Sequence, residues 1–354
     1  MKPLVTALVD TFNHERYIEQ ALVSVLDQGL SLSELEIVVV DDGSADRTPE
    51  IIRKFLPRVK YLRKKNGGQA SAFNAAFPEV SGKIVAILDG DDWWAKGKLL
   101  AVTDAFERNP QVSAVSHAYY KYDEENDEQE ICGPLDVTSL NLSTLEAARL
   151  AVSGWKFLQP SALTVRRKVL EQVIPIPEVL VFCADAPIAI ASMAMGVLAL
   201  PKPLSYYRLH GNNLYASASK DMDKLRRRYE MDDVMLSLLW PLLLRLGVPE
   251  ECASTLLDPF WIWVNRNSLS TFGGSRLKTF RTEMRCFKFH AKNPTLSYRL
   301  FKYLLTGSAA LLLPPRQFYK LSGWYAKRDL GRLRDLILGT ETKPRGGPSA
   351  VTKN

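Results

Sequence analysis

The sequence predicts an α/β protein with a doubly wound, mostly parallel sheet and a helical C-terminal extension. Three observations carry this. Short apolar runs rich in β-branched residues alternate with stretches of helical period up to about residue 117. Two of these runs end in acids: Val38-Val39-Val40-Asp41-Asp42-Gly43-Ser44 and Ile84-Val85-Ala86-Ile87-Leu88-Asp89-Gly90-Asp91-Asp92. Strand signals stop after about Asn213, and helical ones continue.

Taken in order, Leu4–Val9 reads as a strand and His14–Gln28 as a helix with an apolar stripe at Ile18, Leu22, Val25 and Leu26. Glu36–Val40 is the second strand. Asp46 is suited to cap a helix through Phe55, where Pro49 is tolerated in the first turn. Val59–Leu62, Lys83–Leu88 and Val112–His117 read as further strands, separated by helices at Gln69–Phe77 and Lys96–Glu107. The acidic stretch Asp123–Glu130 reads as a solvated loop. Helices are expected at Ser143–Val152, Asp185–Met195, Lys220–Leu246, Pro259–Leu269, Leu277–Lys292 and Tyr298–Leu313. The Gly/Pro/Thr/Lys-rich segment 340–354 reads as a disordered tail. The expected division is an α/β domain over 1–218, a helical region over 219–339, and the tail.

Composition bounds the partners. Of 354 residues, 46% are apolar and 24% charged, as in ordinary globular chains. The four cysteines (Cys132, Cys183, Cys252, Cys286) form no CxxC pair, which argues against a zinc site or a disulfide framework and for a reducing, cytoplasmic setting. No signal-peptide pattern opens the chain, and no apolar stretch reaches the ~18–20 residues of a spanning helix. The net charge of +7 is unevenly spread: residues 219–354 hold 24 Lys/Arg against 12 Asp/Glu. Within 276–334 the balance is 14 against 2, interleaved with aromatic and leucine residues around Arg299–Leu305, Leu311–Leu313 and Arg316–Arg328. Such helices suit the headgroup region of an anionic membrane, or else cover a neighbouring domain with their charges solvated. No nucleic-acid module accompanies the charge, so nucleic acid is not expected as a partner.

The acids carry the chemistry. In an open α/β sheet, ligands collect in the crevice at the carboxyl ends of the strands. Asp89, Asp91 and Asp92 at one such end would repel one another unless a cation sat between them. A hard divalent cation, shared with the phosphates of a substrate, suits that set.

Four blocks together resemble the family 2 glycosyltransferases, the inverting group with the GT-A nucleotide-diphospho-sugar transferase fold. They are Val5–Asn13 (Val-Thr-Ala-Leu-Val-Asp-Thr-Phe-Asn), Val38–Ser44, Asn66–Asn74 (Asn-Gly-Gly-Gln-Ala-Ser-Ala-Phe-Asn) and Leu88–Asp92. The resemblance covers roughly residues 3–210. It implies a nucleotide-sugar donor of the UDP or dTDP type and Mg²⁺ or Mn²⁺ as cofactor. Thr11 and Phe12 would face the nucleotide, with the ring supporting a base, and Asn13 could cap the next helix. Asp42 would read the base and ribose, while Asp41 is either a partner in this or a strand-end acid held by backbone amides. Gly43 is expected in a conformation other residues avoid. Asn66 and Gly67 open a helix whose N-terminal amides suit an anion or a ribose edge. Phe73 stands where many relatives have Arg.

Asp89 and Asp91, with Gly90 between them, match the family's Asp-x-Asp signature, and Asp92 completes the acidic set. The Trp93-Trp94 pair that follows either stacks on a sugar or packs in the core. The block around Phe182–Ile188 resembles the segment that carries the general base, making Asp185 the candidate; the alternative is a helix N-cap. Tyr206–Asn213 resembles the closing Arg-x-His block, in which Arg208 would face a phosphate and His210 would join the metal. The implied activity is inverting transfer to a hydroxyl of a glycan or lipid-linked acceptor, at the inner face of the plasma membrane. The rival is a membrane-surface protein that binds nucleotide-sugars without transferring them. A dinucleotide oxidoreductase is excluded because no GxGxxG follows the first strand.

Overall fold

A computed structural model describes residues 4–31, 33–154, 158–181, 183–211, 213, 222–291 and 309–327. The chain divides into two compact units, residues 1–261 and 262–354.

The first unit is built on a ten-stranded mixed sheet. Its strands are β1 (Val5–Thr11), β2 (Leu35–Asp41), β3 (Lys60–Arg63), β4 (Ile84–Asp89), β5 (Trp93–Trp94), β6 (Ala114–Asp123), β7 (Glu128–Cys132), β8 (Thr138–Leu140), β9 (Thr164–Arg166) and β10 (Val197–Leu209). The order is β3-β2-β1-β4-β9-β6-β10-β5, with β7 beside β6 and β8 beside β10. Parallel pairing runs through β3, β2, β1 and β4, and joins β6 to β10. The short β9 enters antiparallel between β4 and β6. The helices of this unit are α1 (Ile18–Leu26), α2 (Thr48–Arg53), α3 (Gln69–Ala76), α4 (Lys98–Arg108), α5 (Leu145–Gly154), α6 (Arg167–Val173), α7 (Ala186–Met195), α8 (Met222–Arg245) and the start of α9 (Glu250–Phe272).

Sequence period and packing agree. One face of the sheet presents Val5, Ala7 and Val9 of β1, Ile37 and Val39 of β2, and Ala86 and Leu88 of β4 to the apolar stripes of α1 and α4. Residues between them, such as Leu8, Val38 and Ile87, are also buried, and α3 packs near β1 and β2 with Phe73 fully enclosed. With both faces covered, alternation disappears and the strands read as continuous apolar runs. Phe73 is therefore a core residue here.

The mixed half of the sheet departs from expectation. Asp123–Glu130 is no solvated loop: β6 continues to Asp123, and Glu128–Cys132 returns beside it as an antiparallel hairpin. The turn is polar and exposed, so its charge pattern matched that of a loop. The expected helix at Tyr298–Leu313 lies outside the described residues except for its end, where 309–312 are helical, and segment 340–354 lies wholly outside them.

Glu36 ties the amino ends of the sheet together. It accepts from Thr6 Oγ1 on β1 at 2.6 Å, from Lys60 Nζ on β3 at 2.7 Å, and from the amide and hydroxyl of Ser81 at 2.8 and 2.7 Å. Burial alone would raise this carboxyl, but Lys60, Thr6 and Ser81 together hold it down at about 2. A depressed carboxylate adds stability above its unfolded value, near 4.5, and loses it as pH falls toward 2. A shift of this size corresponds to at most about 3 kcal/mol, and to less once solvent screening of the half-exposed Lys60 is counted. Glu36→Gln is expected to lower the urea midpoint at pH 7, with the gap to wild type narrowing between pH 4.5 and 2. Equal midpoints at pH 7 would refute this account.

The second unit holds the end of α9 with α10 (Arg276–Ala291) and α11 (Pro315–Lys327). Glu283, 3% exposed, is gripped by the Arg266 guanidinium through both oxygens and accepts from Tyr319 Oη at 3.1 Å.

Candidate active site

Strand order reverses at β1, with β2 and β3 to one side and β4 to the other. The crevice therefore opens between the carboxyl ends of β1 and β4. Register places Asp10 directly beside Asp89 there, and Thr11 beside Asp41 of β2. Gly90 follows immediately. A Cβ on it would stand 2.6 Å from Thr11 Oγ1 and 2.9 Å from His14 Nδ1, so only glycine lets β4 turn against the end of β1.

One ligand atom from each of Asp89, Asp91 and Asp92 lies within 4.8 Å of the other two. Their surroundings differ. Asp92 is buried and fully engaged: Oδ1 accepts the Arg208 amide at 2.8 Å, and Oδ2 accepts Gln159 Nε2 and Ser161 Oγ at 2.7 Å each. Burial and the Asp91 charge nevertheless push Asp92 up to about 8. Asp91 would also be raised by burial, but the hydrogen bond from His210 and the charges of His14 and His210 bring it below the usual carboxylate range. His210 Nε2 lies 3.0 Å from Asp91 Oδ2, and His14 Nε2 approaches the same oxygen at 3.8 Å. Asp89 is pushed up by burial and then by the charges of Asp10, Asp92, Asp91 and Asp185. Asp10 is pushed up to about 7, chiefly by burial, although it shares a hydrogen bond with Asp89. Asp89 Oδ1 and Asp10 Oδ1 are both buried without a hydrogen-bond partner. Crowded, partly protonated acids with orphaned oxygens fit a divalent cation, whose binding would expel the shared protons.

To one side, the second acidic block is arranged by its own loop. Asp41 accepts the Ser44 amide at 2.8 Å and Tyr61 Oη at 2.7 Å, and Arg63 Nε stands 3.5 Å away. It is the strand-end acid of the pair. Asp42 accepts Lys64 Nζ at 2.6 Å, the Gly68 amide at 2.7 Å and the Gly67 amide at 3.0 Å. The anion at the amino end of α3 is thus the chain's own Asp42. Gly43 has φ +83°, and its position meets the backbone of Asn66 and Lys64, as a left-handed turn requires. Asn13, at φ 56°, does not cap α1. Its amide donates to Ser44 Oγ and its Oδ1 accepts the Ala45 amide, joining the two loops that end β1 and β2.

To the other side, the segment before α7 is pinned onto α3. Asn74 exchanges two hydrogen bonds with the Ile176 backbone, and Val181 O accepts the Gln69 amide. The Gln69 side chain crosses the crevice: its Nε2 donates to Asp10 Oδ2 at 3.4 Å, and its Oε1 accepts the Ala184 amide at 3.0 Å. Asp185 follows at the start of α7, ahead of Pro187, but takes no capping hydrogen bond. Burial pushes it up to about 6 against the pull of the Asp185 and Ala186 amides.

The family model for glycosyl transferase family 2 matches residues 6–174. An uncharacterised glycosyltransferase of Nostoc sp. is 34% identical over 226 residues, which is 61% of this chain and 67% of that one. This chain is a family 2 glycosyltransferase. Chondroitin synthase of Pasteurella multocida is also 34% identical, over 33% of this chain and only 14% of its own length. Among solved structures, S. aureus TarS 1–349 superposes with a TM-score of 0.59 over 82% of this chain and 81% of that one, at 19% identity. The GT-A fold follows from that likeness.

The crevice of the transferase has a volume of about 1160 Å³. Of the residues expected from sequence, Thr11, Phe12, Asp42, Asn66, Asp89, Asp91, Asp185 and His210 line it. Gly67, Gly90, Asp92 and Arg208 are not among the lining residues. The Arg208 guanidinium lies between the rings of Tyr17 and Trp93, at 4.7 and 4.4 Å. Its Nε donates to the Asp91 carbonyl and its Nη2 to Gln20. Trp94 is a core residue, and Trp93 stacks on Tyr206 at 4.5 Å. Sequence reasoning placed Asp10 only in the strand end that faces the nucleotide, and passed over His14, Gln69, Tyr119 and Tyr207, which with Asp10 line the crevice. The signal for Asp10 was its place at the end of the first strand; for Tyr207 it was the period-2 alternation of β10.

Proposed function

We propose that the transferase moves a sugar, with inversion, from a UDP- or dTDP-sugar to a hydroxyl of a glycan or lipid-linked acceptor, with Asp185 as general base. One observation carries the reading. Asp185 shares a crevice with Asp89 and Asp91, takes no capping bond, and is poised near 6 by burial. An acid buried there, with only the amides of Asp185 and Ala186 acting on it, suits proton transfer near neutral pH. Asp185 would take the proton of the acceptor hydroxyl as its oxygen attacks opposite the departing diphosphate. Phe12, 37% exposed in the crevice, offers a face to the base. Asp42, which lines the crevice, is held in place by Lys64 and by the amides of Gly67 and Gly68, and would face the base and ribose. The structures of S. aureus TarS with UDP and with UDP-GlcNAc, of the same fold, are consistent with such a donor.

Asp89, Asp91 and His210 would hold Mg²⁺ or Mn²⁺, with Asp92 holding the loop between them. A bound cation would neutralise charge that grows on the departing nucleoside diphosphate. Thermal unfolding across a panel of nucleoside diphosphates, with and without Mn²⁺, tests the donor reading. UDP or dTDP is expected to raise the midpoint only when Mn²⁺ is present. No shift with any nucleotide would overturn the reading.

Among the described residues no helix is long and apolar enough to cross a membrane. Just before α11, Leu311 and Leu312 are 44% and 75% exposed, and Arg316 and Lys320 within it are exposed as well. This edge supports a reversible seat on anionic lipid, where each basic residue contributes on the order of 1 kcal/mol. Sedimentation with anionic vesicles at low salt is expected, weakened by Arg316→Glu with Lys320→Glu. Equal recovery of wild type and variant in the supernatant would sink this reading.

A further inference from the structure

Helix α8 lies beyond residues 6–174, the span of the family model, yet it contributes to the crevice of the first unit. It brings Asp232, whose side chain is 2% exposed. Asp232 Oδ2 is buried and accepts no hydrogen bond; Arg228 Nε, one turn back, is 3.9 Å from it, too far for one. The ion pair with Arg228 leaves that buried oxygen without a hydrogen bond, and in a crevice a ligand can supply one. Its surroundings indicate which ligand. Met235 lines the crevice one turn further along α8, and Phe260 of α9 adds a ring. The same crevice is also lined by Tyr119 of β6 and Tyr207 of β10, which meet edge to face with centroids 6.2 Å apart. The charges of both Asp185 and Asp232 act on the Cys183 thiol, so the two carboxylates flank the same short segment.

We propose that Asp232 is an acceptor-binding residue and that this end of the crevice is a subsite for a neutral pyranose unit of the acceptor. The inference rests on the transferase reading above and names part of its substrate. A pyranose has apolar C–H faces that pack on rings and a thioether, and a rim of hydroxyls that donate to a carboxylate. An anionic group would face Asp232 and Asp185 together and be repelled.

The test is saturation-transfer NMR on the full chain with UDP and Mn²⁺, using methyl β-D-glucopyranoside and methyl β-D-galactopyranoside as probes. Ring protons of at least one glycoside are expected to take up saturation from wild type. Asp232→Asn should weaken that binding about tenfold, as the loss of a hydrogen bond to a charged group does, with thermal midpoint and UDP signal unchanged. Phe260→Ala should weaken it without touching the carboxylate, and it decides the matter alone if Asp232→Asn fails to fold. Undiminished glycoside signal in the deciding variant, or none from either glycoside in wild type, overturns the proposal. Glycoside binding that depends on Asp232 without any UDP signal would sink the donor reading and leave the subsite standing.

Discussion

Asp91→Asn is expected to abolish sugar transfer while leaving the protein folded. Asp91 Oδ2 is the oxygen on which His210 and His14 converge, and it is the member of the acidic set that stays ionised. An amide of the same shape can still fill the space, but it removes the charge that a divalent cation needs. Donor affinity should then become indifferent to Mn²⁺, measured by titrating UDP with and without the metal. The loss of one charge among Asp89, Asp91 and Asp92 also relieves repulsion. The thermal midpoint should therefore stay within about 4 °C of wild type, the shift that ~1 kcal/mol produces in a chain of this class. Full transfer by the variant, or by wild type in EDTA, would remove the metal from the account.

The second large effect is expected at Asp185. Asp185→Asn should keep donor affinity within a few-fold and cut turnover by ~10²–10⁴, the usual range for a lost general base. The pH dependence has a definite sign. A base must be ionised to act, and burial has raised this one to about 6. Wild-type turnover should therefore fall as pH drops through about 6, and the residual activity of Asp185→Asn should lack that limb. A collapse of donor binding together with turnover would instead make Asp185 a donor ligand or a structural acid.

Much of the fold was legible because its first half obeys two periods. Strands β1, β2 and β4 are covered on both faces and read as unbroken apolar runs, while α1 and α4 carry a single stripe. The rest was hidden where pairing partners are distant in sequence. β9 has three residues and is a strand only because β4 and β6 flank it. β10 runs thirteen residues through Pro201 and Pro203 with register shifts beside β6, a pattern that reads as mixed. The site shows the same contrast. Asp89 and Asp91 were visible as a local motif, whereas Asp10 acquires its role only from register beside Asp89. Gln69 acquires its role only from the 177–184 segment folded onto α3. Arg208 looked like a phosphate ligand in isolation, and its place between Tyr17 and Trp93 depends on β10 and β5 being neighbours.

The crossing made by Gln69 has an implication for timing. Its carboxamide has a donor end at Asp10 and an acceptor end at Ala184, so it is a directional link between the floor that would grip the donor and the segment that would present the base. Turning it end for end would set an oxygen against a carboxylate and an N–H against an N–H. The link therefore has one stable sense only. When a cation or donor draws the Asp10–Asp89 pair into a new arrangement, the pull is felt one residue before Asp185. If Asp185 is the base, donor loading would then bear on its alignment through this one side chain.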